Sequence, residues 1–209
     1  MRRMPLWGVV TAAAAPALLV AGWTIAARLQ PGGFDPVTET ISDLAGADAS
    51  HRWLMTTAIL ATGACQVATA IALRPAARPG RVVLAAGGVC TILVGLSPLP
   101  PAGQAAPVHA AVAAGSFAAL AVWPLVSWGQ GEAVPWGLRR GVALSAGCGL
   151  VAVTAWFFRD AVVGTATVGL SERAAAVLLN MWPLAVAVSA RRLWRASEMP
   201  TAAAPRLET

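Results

Sequence analysis

Six long apolar runs, separated by short polar segments, dominate the chain: Leu6 to Ala27, Trp53 to Leu73, Val82 to Ser97, Val108 to Trp128, Gly141 to Phe158 and Arg173 to Ala190. At 16 to 22 residues, such runs approach or match the length a helix needs to cross a hydrocarbon layer about 30 Å thick. None carries an acid or base in its interior, where a charge costs about 2.5 to 3.5 kcal/mol on insertion scales. The pattern predicts an all-α polytopic membrane protein, a six-transmembrane-helix bundle over residues 1–196. Residues 197–209 are rich in Ala and Pro without apolar periodicity, and are expected to form a disordered cytoplasmic tail. The first run exceeds the 7 to 15 residues typical of a signal-peptide core and is followed at once by Arg28, so it is read as an uncleaved span.

One polar segment has a pattern of its own. In FDPVTETISDL, residues 34–44, Asp35, Glu39 and Asp43 recur every four residues and share a helical face with Ser42, while Phe34, Val37, Ile41 and Leu44 form the opposite stripe. Asp35 followed by Pro36 suits an N-cap and first turn, and Gly46 suits a stop. A short outer interfacial helix near 35–45 is therefore expected, apolar side down on the bundle or lipid. Its acidic face reads most simply as a solvated one.

Composition agrees with the pattern. With 57% hydrophobic residues, 11% charged residues and a mean hydropathy of +0.68, the natural solvent is a bilayer. The net charge of +6 comes from arginine alone, and its distribution is informative: eleven of the fifteen basic residues fall on one side of the predicted bundle. By the positive-inside rule both termini are cytoplasmic, in an inner or plasma membrane, and the basic charge contacts anionic lipid instead of nucleic acid. Trp7, Trp128, Trp136 and Trp194 near one boundary and Trp53 and Trp156 near the other fit interfacial belts, whereas Trp123 and Trp182 lie deeper. Pro16, Pro124 and Pro183 interrupt spans, and Gly87-Thr91-Gly95 and Gly141-Ser145 offer small-residue packing faces. Cys65, Cys90 and Cys148 lie mid-span without metal spacing, so no metal site and no cofactor is expected.

The candidate chemistry gathers at the outer ends of the spans. Ser42, Asp43, Asp48, His51, Arg52, His109, Arg159, Asp160, Glu172 and Arg173 are all placed there, and an imidazole beside a carboxylate suits proton transfer or ligation. His109, just after Pro107, is the favoured histidine, with Asp43 as its expected neighbour in one vestibule; the plain alternative is a histidine that pins two helices. The ligand-binding candidates are Ser42, Asp43, His51, Arg52, His109 and Asp160; the catalytic candidates are Asp43, His109 and Glu39.

Thr40-Ile41-Ser42-Asp43-Leu44 just after a first span resembles the signature of the bacterial membrane family known as domain of unknown function 998. The resemblance continues with Gly63, Pro98 and His109, and so covers most of the chain. Ser97 stands where the family often has an aromatic, and the Leu99–Pro107 loop lacks an acid. The resemblance implies an architecture and candidate positions, and no mechanism. Three functions are open: a non-enzymatic envelope protein binding a lipid, a hydrophobic ligand or a membrane-protein partner; a membrane enzyme acting on a lipid or isoprenoid through Asp43, Glu39 and His109; and a small transporter. The first is preferred, because no nucleophile-elbow, metalloprotease or dense Asp motif supports the second, and the third lacks ionisable groups inside the spans.

Overall fold

The computed structural model describes residues 4–129 and 134–198. Six helices long and apolar enough to cross a membrane make up the chain: α1 Leu6–Arg28, α2 Arg52–Ala72, α3 Arg78–Leu96, α4 Pro107–Val122, α5 Arg140–Val163 and α6 Val168–Glu198. Lipid is the solvent this surface requires. Val82, Leu96, Val108 and Val162 are 63–87% exposed, and no more than 44% of any span is buried within the bundle. In water such a surface would drive aggregation.

Small residues set the helix spacing. A Cβ on Gly8 or Gly22 of α1 would strike Ala72 or Ala58 of α2, and one on Gly63 would meet the Gly88 carbonyl oxygen of α3 at 2.7 Å. Close approach lets dispersion and weak polar contacts hold helices together where lipid removes the hydrophobic drive. In the expected Gly87-Thr91-Gly95 stripe, Gly87 faces Leu120 of α4 and Gly95 faces Leu60 of α2. Gly141 has open space around it, so the Gly141-Ser145 pair is not a packing face. Pro16 and Pro183 lie inside α1 and α6, and at Pro124 the α-helix gives way to a 3-10 turn, Trp123–Val126. A proline lacks the N–H that the longer-range ladder needs.

Two predicted boundaries move. Helix α5 extends to Val163 and α6 starts at Val168, so Asp160 and Glu172 lie within helices and not in the flanking loop. At the other end α6 continues through Glu198, making Ser197 helical; the rest of the expected tail, residues 199–209, lies outside the described residues.

The larger correction concerns the expected interfacial helix over 35–45. The segment is two separate turns, the second a single 3-10 turn at Asp43–Ala45. The first turn starts as expected: Val37 N–H donates to Asp35 Oδ1 (2.8 Å), the Thr38 hydroxyl to Oδ2 (3.1 Å), and Glu39 N–H to the Asp35 carbonyl (2.9 Å). Tertiary bonds then take the groups that a second turn needs. The Pro36 carbonyl accepts from Arg173 Nη1 and the Val37 carbonyl from Leu170 N–H, while Thr40 N–H turns to Asp43 Oδ2 and Ile41 N–H to Glu172 Oε2. Ile41 and Leu44 nonetheless pack down as predicted, at most 5% exposed, whereas Val37 of the same predicted stripe is exposed.

The loop rests directly on α6 at Gly169, where an added Cβ would collide with the Glu39 carbonyl group. Gly169→Ala should therefore lift residues 36–39 off the helix at a cost of about 1–3 kcal/mol. Thermal unfolding and amide exchange on the reconstituted variant check this; an unchanged midpoint together with unchanged exchange at Leu170 would contradict it.

Candidate functional site

The ends of α1, α3 and α5 and the starts of α2, α4 and α6 meet at the distal end of the bundle, away from both termini. Here the loops bind one another through backbone groups: Ala47 N–H donates to the Leu99 carbonyl (2.9 Å), and Ala102 N–H to Asp48 Oδ2 (2.9 Å). Gln30 ties the end of α1 to Ser50 by reciprocal bonds of 3.0 and 3.1 Å.

Thr40 and Asp43 form a reciprocal capping box. Asp43 Oδ2 accepts from Thr40 N–H (2.7 Å) and from its hydroxyl (2.8 Å), while Thr40 Oγ1 accepts from Asp43 N–H (3.1 Å). The box orients the turn so that its residues point to opposite sides. Glu39, Asp43 and Leu44 line an open distal vestibule of about 530 Å³, which Asp48 and the Leu99–Gln104 loop complete. Ile41 and Ser42 line a narrow cavity of about 70 Å³ inside the bundle, with Glu172 at the same end and Gln66 and Asn180 deeper. The ISD tripeptide is a partition between two compartments.

The vestibule's charge is acidic: among the described residues, Glu39, Asp43 and Asp48 are its only charged lining groups. Each spends one carboxylate oxygen on the loop backbone, Glu39 Oε2 on Asp35 N–H at 2.6 Å, Asp43 Oδ2 on Thr40 and Asp48 Oδ2 on Ala102. The second oxygens, Glu39 Oε1, Asp43 Oδ1 and Asp48 Oδ1, take part in none of those bonds. The carboxylates are thus held in place with acceptor capacity to spare.

His109, which lines neither compartment, is 8% exposed. Its Nδ1 lies 2.6 Å from the Ser97 carbonyl oxygen and its Nε2 lies 3.1 Å from Ser42 Oγ. A carbonyl only accepts, so Nδ1 carries the hydrogen, and in the neutral ring Nε2 accepts from Ser42. Ser42 and Glu172 both line the narrow cavity at this end.

The histidine expected beside Asp43 therefore bonds the neighbouring Ser42, and Asp43 bonds Thr40. The continuous helical phase assumed for 35–45 made that one-residue difference. His51 is the N-cap of α2 with φ of 54°; it and Arg52 are exposed and line neither cavity. Asp160 is fully buried and structural: Oδ2 accepts from Thr167 (2.9 Å) and Oδ1 pairs with Arg159 (3.2 Å), which closes the α5–α6 turn. Among the described residues no cluster of three metal-ligating side chains occurs.

Two residues that the sequence places at this end, but not among the ligand-binding or catalytic candidates, prove central to it. Glu172, 4% exposed, receives Ile41 N–H, and Arg173 Nη1 reaches the carbonyls of Pro36 (2.9 Å), Glu39 (2.8 Å) and Gly169 (2.9 Å). The Arg173 guanidinium also lies over Phe34 and Trp23, 5.2 and 5.9 Å from their ring centroids. The available signal was the spacing of Glu172, Ala176, Leu179 and Asn180, one helix face that carries polar groups into an apolar span.

Bonds from Val37 N–H and then from the Thr38 hydroxyl hold the Asp35 carboxyl below its ordinary range. A depressed folded value means that the stabilisation is complete above the unfolded pKa and is lost as pH falls through the folded one. Acidification through that window should lower the protection factor of the Val37 amide, its exchange relative to the intrinsic rate at each pH, and Asp35→Asn should remove that pH dependence; a protection factor that stays constant in the parent protein would count against the cap.

The six helices and the distal site define a multi-pass membrane protein with a partitioned polar end. The chain belongs to the family described as Protein of unknown function (DUF998), whose profile matches residues 13–189, from within α1 to near the end of the apolar part of α6. No curated protein and no solved structure matches the chain.

Proposed function

We propose that the protein is a non-enzymatic binding protein of the plasma membrane, with both termini cytoplasmic, whose distal vestibule takes the cationic group of a lipid or of a membrane-protein partner. The carrying observation is the vestibule wall: three carboxylates, each fixed through one oxygen, with no basic residue among its lining. Its volume falls within the roughly 300–1,000 Å³ of small-ligand pockets, and Phe34, Leu44 and Leu99 give it an apolar floor suited to an amphiphile. The orientation rests on the arginine distribution.

The test is native mass spectrometry of the protein released from nanodiscs that contain a phospholipid with a primary-amine headgroup. The parent should retain that lipid, and the combined Glu39→Gln, Asp43→Asn, Asp48→Asn variant should lose it while keeping its unfolding midpoint. Equal retention by the two would refute the reading.

One observation favours a second reading, an acyl-transferring membrane enzyme acting on a lipid. Ser42 and His109 have the spacing of a nucleophile and its base, with the Ser97 carbonyl orienting the ring. On this reading Ser42, and not Asp43 or Glu39, attacks. A fluorophosphonate that labels Ser42 in the parent but not in His109→Gln would establish it; an unlabelled, folded parent would discard it.

A further inference from the structure

The narrow cavity behind the partition is built for something other than the vestibule's ligand. Glu172 is the one charged residue among its lining groups. From Glu172 to Asn180 it follows eight residues of α6, a depth of about 12 Å. Its polar groups have already committed hydrogens to the protein. Thr62 donates to the Ala15 carbonyl (3.3 Å) and Thr91 to the Gly87 carbonyl (3.0 Å); Ser116, 2.7 Å from Thr91 Oγ1, must therefore donate to it. Each hydroxyl keeps a lone pair.

At the floor, hydrogen bonding decides which way the amides face. Asn180 Nδ2 donates to the Ala176 carbonyl (2.9 Å), so Oδ1 faces Gln66 and must receive Gln66 Nε2 (2.9 Å). Gln66 Oε1 is left over. It belongs to a side chain only 3% exposed and has no partner, which is costly in a membrane interior. An unpaired acceptor, hydroxyl lone pairs and one carboxylate are all electron-rich, and a small cation with a few waters matches them together.

We propose that this cavity is a binding site for one small monovalent cation, with Glu172 as its counter-charge at the mouth and Gln66 Oε1, Thr62 and Ser116 as neutral oxygen ligands below. One carboxylate balances one positive charge. A volume near 70 Å³ holds such an ion with a few waters, each needing about 10–15 Å³, and excludes a whole lipid headgroup. Of the other charged groups near the mouth, Arg173 is adjacent to Glu172 and acts on it electrostatically while its Nη1 is held by the loop carbonyls, and Glu39 and Asp43 face the vestibule. The proposal is independent of what the vestibule binds.

The experiment is thermal unfolding of the full chain in nanodiscs at constant ionic strength. Bulky N-methylglucamine chloride is replaced stepwise by sodium, ammonium or methylammonium chloride. A rise of the midpoint that saturates with at least one small cation is expected, and the cation that produces it distinguishes an alkali ion from an N–H donor. The rise should disappear in Gln66→Met and in Glu172→Gln, and persist in the vestibule variant with Glu39, Asp43 and Asp48 neutralised. Gln66→Met decides the matter alone if Glu172→Gln does not fold. No saturating response in the parent, or a response that survives Gln66→Met, would overturn the proposal; loss only in the vestibule variant would move the cation to the vestibule.

Discussion

Arg173→Ala should release the 34–44 loop from the bundle while leaving the six helices assembled. The guanidinium is the point where three backbone carbonyls from two elements and two aromatic rings converge. Hydrogen bonds from a charged donor contribute about 1.5–3 kcal/mol, and a partly exposed cation–π contact roughly 0.5–1 kcal/mol. Because one nitrogen serves all three carbonyls these do not add, and a loss of about 3–5 kcal/mol, confined to the loop, is expected. Arg173→Lys should recover part of it, since an ammonium keeps the charge but not the planar fork. Hydrogen exchange over residues 36–45 of the reconstituted protein is the measurement. Protection that survives in the alanine variant would show that burial of Ile41 and Leu44 alone holds the loop.

The helices were legible because lipid imposes a simple rule: every backbone polar group must be satisfied within the span, so length and apolarity suffice to find them. The Asp35–Pro36 cap was legible for the same local reason, a side chain bonding a backbone group two residues away. The break after Glu39 was not. It depends on α6, more than 130 residues on, delivering a donor to each carbonyl and a carboxylate to Ile41 N–H, and no local propensity records that. Once the helix is cut, the phase that turned Asp43 toward His109 no longer applies, and Ser42 takes its place. Glu172 was placed outside the sixth span because that span was started at Arg173, five residues after the helix begins at Val168; a buried carboxylate breaks the very rule by which the spans were found. The ionisable group whose absence counted against a transporter is thus present within α6.

Glu172→Leu should be the most damaging single change at the partition. The carboxylate is the acceptor for Ile41 N–H, and the bond joins the capping-box turn to α6. Leucine fills much of the same space and admits no water in compensation, so a buried N–H is left without a partner at about 1–3 kcal/mol. The Ser42 hydroxyl keeps its partner, His109 Nε2, in this variant as in Glu172→Gln. Glu172→Gln keeps an oxygen for Ile41 N–H and should cost much less. The separation between the two variants is the informative quantity, since both remove the charge and only one removes the acceptor. Thermal unfolding in nanodiscs should place leucine well below glutamine, with exchange at Ile41 accelerated only in the former. Equal midpoints would mean that the carboxylate acts here as a charge alone, and the hydrogen-bonded account of the partition would have to be abandoned.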